Sequence, residues 1–205
     1  MSQAPHTHDK DTRLEEDLRR YQQHAIDLGA TDAKTITTGQ IQLDERAQAK
    51  CQVPTCRGWG TNANCPPYVM PVDTLKKVIQ RYQYAVLFKV DVTTGSFDDF
   101  DVVNKRTVTD ITWRIESEAF YDGHHFAMGF GGTGCKGVFC PDTYCSALKG
   151  EGCRYPWKAR PAMHGAGFHV YGMAKSVGWE LYTVGPSTDP TSIPHMSSLG
   201  IVFVD

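Results

Sequence analysis

The apolar positions along the chain change period several times, and each change predicts an element. From Asp11 to Leu28, Leu14, Leu18, Tyr21 and Ala25 recur at helical spacing, and Gly29 is placed to end that helix. Ala33 to Thr38 predicts a short strand, whereas Ile41 to Lys50 fits neither period. Asp73 can cap a helix that reaches Tyr82 and carries Leu75, Val78 and Ile79 on one side. Tyr84 to Val92 is the clearest buried strand. A longer helix is predicted from Asp98 to Tyr121, with Val108, Ile111, Ile115 and Ala119 as its apolar stripe.

Further on, His125 to Phe130 reads as a strand running into Gly131-Gly132-Thr133-Gly134. Ala166 to Val177 can form a helix ended by Gly178, and Trp179 to Val184 then reads as a strand. Pro186 to Pro194 is a long turn before a closing strand, Gly200 to Asp205, expected to pair with Trp179 to Val184. Residues 1–10 are polar and are expected to form a disordered tail, leaving 11–205 as a single cysteine-rich domain. The expected fold is α+β (mixed α/β): a central sheet of about four or five strands flanked by helices, with two cysteine-rich metal-binding loops at one edge.

Composition narrows the function classes. A chain of 205 residues with 40% hydrophobic content can bury one core. The net charge of −2, without any run of five like charges, argues against nucleic acid or an anionic membrane as partner. The N-terminus lacks a basic region followed by an apolar stretch, and Tyr84 to Phe88 is too short to cross a bilayer. A cytoplasmic protein is expected, and in a reducing cytosol its thiols are metal ligands or catalytic groups rather than disulfides.

Those thiols are the main chemical signal. Seven cysteines fall into two groups, Cys51-x4-Cys56-x8-Cys65 and Cys135-x4-Cys140-x4-Cys145-x7-Cys153, separated by 69 residues without another. They sit among Gly, Pro, Asn and Thr, on loops where sulfur atoms can converge at little closure cost. The second group holds four donors within 19 residues, enough to enclose a zinc ion or a [4Fe–4S] cube. The first offers three, so a cubane there has one iron that takes another side chain or stays open to a small molecule. Cys65 and Cys140 each precede proline, a recurrent companion of iron–sulfur ligation. The spacing alone leaves iron–sulfur and zinc both open.

Other residues carry weaker signals. Arg57, Lys136, Arg154 and Lys158 are cations beside a site that thiolates would make negative. Arg160, in Arg160-Pro161, either locks the loop or clamps a carboxylate. His164 is the candidate proton donor or fourth ligand of the three-cysteine site, weighed against a hydrogen-bonded histidine at a helix start. His169 reads as structural, and His124-His125 as neighbours that point to opposite sides. Trp59, Tyr68, Tyr144, Tyr155 and Trp157 are expected to shield the metal.

The stretches Cys51-Gln52-Val53-Pro54-Thr55-Cys56, Asn64-Cys65-Pro66-Pro67, Cys153-Arg154-Tyr155-Pro156 and Lys158-Ala159-Arg160-Pro161-Ala162-Met163 resemble a family of cysteine-rich predicted metal-binding proteins, domain of unknown function 2284. The resemblance covers about residues 14–205 and implies metal binding of an iron–sulfur kind, in anaerobic or redox metabolism. Two departures stand out: family members pack the first cysteines of the second group as C-x2-C where this chain has x4, and carry acidic residues at His164 and His169.

Together these readings predict an iron–sulfur redox protein holding one or two [4Fe–4S] clusters, with all seven cysteines as metal ligands and the open iron serving an oxidoreductase. The alternative is a non-catalytic zinc-stapled module or an electron-carrier subunit. The expected partner is a redox protein or a small-molecule substrate, and a homo-oligomer is compatible with the sequence.

Overall fold

In the computed structural model, which describes residues 7–93, 96–185 and 187–205, four strands form one antiparallel sheet between helices. Helix α1 (Thr7–Asp27) leads into β1 (Asp32–Thr37), then α2 (Glu45–Ala49) and α3 (Val72–Ile79). Next come β2 (Tyr84–Val92), α4 (Phe97–Val103), a π-helical turn at Asn104–Val108, and α5 (Thr109–Tyr121). The chain closes with β3 (Met128–Phe130), α6 (Lys136–Phe139), α7 (Met163–Ala166), α8 (Val170–Ser176) and β4 (Met196–Val204). The fold is mixed α/β. The first helix begins at Thr7, inside the stretch expected to be a tail; residues 1–6 lie outside the described residues.

The strand order is β1-β2-β4-β3, so the closing strand lies inside the sheet. It pairs with β2 from Tyr84↔Val204 to Val92↔Met196 and with β3 from Met128↔Phe203 to Phe130↔Ile201. Alternation along β2 explains the two layers of core. Ala85 and Leu87 pack with Ile201, Phe203, Phe168 and Met173 on one face; Val86, Phe88 and Val90 pack with Leu18, Tyr21, Ile111 and Ile115 on the other. The stripe predicted on the long helix is entirely buried, with Val108, Ile111, Ile115 and Ala119 all at 0% exposure.

Four expectations are corrected. Trp179 to Val184 is not a strand: both edges of β4 are already paired, and Trp179 instead buries its ring and donates Nε1–H to Asp32 Oδ2 at 2.7 Å. Asp73 does not cap α3; the extended backbone of Pro71 precedes Val72, and Asp73 lies in the first turn, where its charge suits the helix dipole. The helix expected from Ala166 to Val177 is broken at Gly167, whose φ of 98° is left-handed, and so becomes α7 and α8. The strand from His125 shortens to three residues because His125 and Phe126 form a turn, closed by the Ala127 amide on the His124 carbonyl at 2.9 Å.

Candidate metal centre

The cysteines lie on two largely irregular stretches. One follows α2, and the other leaves edge strand β3 and returns beside it where Gly131 pairs with Ala162. All seven are free thiols; Cys65 is buried, Cys56 and Cys153 are exposed, and the other four are half-buried.

In the first stretch a tight turn brings the Cys56 amide to the Cys51 carbonyl at 2.8 Å. The Gly58 amide then points at Cys56 Sγ at 3.4 Å. Gly58 lies against two sulfurs, since a Cβ there would stand 2.9 Å from Cys65 Sγ and 3.9 Å from Cys56 Sγ. Burial pushes the Cys51 thiol up to about 11, and the neighbouring Cys56 and Cys65 add to the shift. Burial likewise raises Cys65, opposed by Asn62 and reinforced by Cys56. A site whose thiols resist ionisation together is relieved by a cation, because metal binding deprotonates its ligands.

In the second stretch Cys135 precedes α6 and Cys140 ends it. The Cys135 thiol is pushed up to about 11 by burial, despite a hydrogen bond from Asn64, with Cys65, Cys153 and Cys145 as acidic neighbours. Cys145 goes the other way. Burial raises it, but the backbone amides of Ala63, Leu148 and Ala147 and the Arg154 guanidinium together outweigh that and lower it. The Tyr155 amide points at Cys153 Sγ at 3.4 Å. Cys140 is fixed through its carbonyl, which accepts from Lys136 Nζ at 2.8 Å.

Segment 62–65 ties the two stretches together. Asn64 Nδ2 donates to Cys135 Sγ at 3.3 Å, and the Cys135 thiol donates to Asn62 Oδ1 at 3.7 Å. Asn62 is only 1% exposed and also orders its own turn by accepting from the Asn64 amide at 3.1 Å. A Cβ on Gly134 would stand 2.5 Å from Cys65 Sγ, so only glycine lets the second stretch lie against the first group's buried sulfur.

The donor set suits a soft metal. Soft thiolates are what iron–sulfur clusters and zinc take, and amide hydrogens point at Cys56, Cys145 and Cys153. Among the described residues, no three His, Cys, Asp or Glu side chains stand as a ready ligand shell, so ligation requires the sulfurs to draw inward.

The remaining candidates divide. His164, on α7, shares an open cleft of about 630 Å³ with Cys51 and Cys56. Desolvation, then the charge of His169, holds the His164 imidazole below the usual histidine range. His169 lines the same cleft, with Nδ1 3.3 Å from Gln42 Oε1. Arg160 takes the loop-locking role: its guanidinium forks onto Glu116 at 2.6 Å twice and also reaches the carbonyls of Pro156, Ala159 and Trp157. Lys136 spends its ammonium on the carbonyls of Cys140, Pro141 and Thr143. Lys158 sits over the Trp113 ring, and Arg57 is exposed. Arg154 is the cation acting on a thiol, while its guanidinium also donates to the Tyr144 carbonyl at 2.7 Å. The aromatic shield is partial: Tyr155 stacks on Phe139 at 5.1 Å, but Trp157 is 80% exposed and Tyr68 55%.

Sequence reasoning missed Asn62 and Glu116. The run Thr61-Asn62-Ala63-Asn64 of short polar side chains before Cys65 was the available signal for the first. Glu116 carried none; it matters because β3 folds over α5, where its carboxylate also accepts from the Gly129 amide at 2.6 Å.

Fold and thiols together define a mixed α/β protein with a cysteine-rich crown suited to metal. Residues 34–204 match the family described as predicted metal-binding protein (DUF2284), and the chain belongs to it. No curated protein and no solved structure matches the chain. Among the described residues no helix is long and apolar enough to cross a membrane.

Proposed function

We propose that the chain is an iron–sulfur redox protein. Cys51, Cys56 and Cys65 would hold one centre beside the cleft, and Cys135, Cys140, Cys145 and Cys153 a second within the other stretch. Bound there, the clusters would supply one-electron chemistry, with the cleft as the place where a small molecule is reduced or activated. The observation that carries this reading is the link through segment 62–65, with Asn64 hydrogen-bonded to Cys135 and Cys65 packed on Gly134. Two groups tied so directly are suited to exchanging electrons. The chain's own residues then have defined tasks. The amides at Gly58 and Tyr155 and those around Cys145 stabilise sulfur charge, Asn64 orients Cys135, and the His164 imidazole, which burial keeps from charging, offers a hydrogen-bonding group at the cleft wall.

Protein isolated without oxygen should be brown, with broad absorbance at about 400 nm and roughly eight irons per chain if both centres are cubes. Cys65→Ser should remove one cluster signal in the EPR spectrum and alter the other, since Cys65 adjoins both groups. Colourless protein holding about one zinc per chain would overturn the redox reading and leave a stapled module.

A further inference from the structure

The cleft beside Cys51 and Cys56 has a chemical bias beyond its position. Its walls are largely apolar, made by Ala47, Phe168, Val170 and Tyr171. Two exposed cations that line it meet different fates. The Arg46 guanidinium is committed to Asp44, with Nε at 2.9 and 3.1 Å and Nη2 at 2.6 Å from the carboxylate oxygens. That fork also neutralises Asp44, the cleft's acidic group. The Lys50 ammonium, in contrast, has no acceptor among the described residues. An apolar hollow with one uncommitted ammonium in its lining suits a ligand with an apolar body and one negative end, since a charge-assisted hydrogen bond orients what the apolar wall binds.

We propose that this cleft binds small organic carboxylates, with the carboxylate on Lys50 and the apolar body against Val170 and Tyr171. The claim deepens the redox reading by naming the substrate class of the same cleft. Lys50 lines the cleft together with Cys51 and Cys56, so a carboxylate held there shares the cleft with two of the three cysteines.

The test uses the full chain as isolated without oxygen, with benzoate as probe and benzyl alcohol and benzylamine as neutral and cationic counterparts, read by calorimetry. Benzoate should bind saturably and at least about tenfold tighter than either counterpart. Lys50→Ala should weaken it about tenfold or more, while Lys50→Arg keeps most of the affinity. Ala47→Trp, which fills the hollow from α2, should abolish binding while the circular dichroism spectrum stays unchanged. Absence of benzoate binding, equal binding of benzyl alcohol, or full affinity in Lys50→Ala would each overturn the assignment. Metal content of the same sample separates the two claims: metal-loaded protein that ignores benzoate sinks only the substrate class. Folded protein without metal sinks the redox reading whatever benzoate does.

Discussion

The sheet and its helical layers are held by side chains such as Phe88, Ile111, Ile115 and Phe203, each fully buried. The cysteine stretches are held by polar groups aimed at backbone and sulfur: Arg160 and Lys136 on carbonyls, Asn62 and Asn64 on Cys135. In the first region water is excluded by apolar area, and order follows whether or not anything is bound. In the second, the half-buried thiols at Cys51 and Cys135 resist ionisation, a penalty that a bound cation would relieve. The difference separates what folds the chain from what makes it useful.

That contrast can be broken most forcefully in the core. Phe203→Ala removes a ring that touches Phe130, Phe168 and Tyr82 and should cost about 3–5 kcal/mol, read as a fall in urea midpoint. Cys56→Ser in metal-free protein should cost far less, because Cys56 is exposed. Equal losses would erase the distinction. Glu116→Ala comes next. It leaves the half-buried Arg160 guanidinium and the Gly129 amide without their acceptor, for an expected loss of about 3 kcal/mol, and urea denaturation decides.

Gly134→Ala sharpens the comparison from the loop side. Its new methyl meets Cys65 Sγ and should cost about 1–3 kcal/mol while lowering metal content, with the sheet's circular dichroism retained. Wild-type metal content in that variant would mean that the two stretches do not need to touch. The smallest effect lies at the cleft rim. Arg46 holds the Asp44 carboxyl down at about 2 through a side-chain and a backbone hydrogen bond. Its folded value lies below the ordinary 3.8, so its stabilisation is complete above about pH 4 and is lost as pH falls through 2. An NMR titration should show that midpoint, and Arg46→Met should return it towards 3.8.

How much was legible in the sequence follows the same division. Tyr84 to Val92 and the stripe from Val108 to Ala119 could be read because burial imposes a period on each. Trp179 to Val184 misled because a period does not say which strand is free to pair, and both edges of β4, the expected partner, are taken by β2 and β3. The cysteines and their loops were visible as spacing. The link through Asn62 and Asn64 was not, because contacts across more than seventy residues leave no local pattern. Arg160 was legible as a loop lock only in part, its partner Glu116 being hidden on the polar side of a helix.

The most direct test is metal and acid-labile sulfide analysis of the chain isolated anaerobically, alongside its circular dichroism. The account predicts folded protein that retains iron and sulfide together and loses both on Cys135→Ser more completely than on Lys50→Ala. Folded protein without iron and sulfide, whether empty or holding zinc, would contradict it.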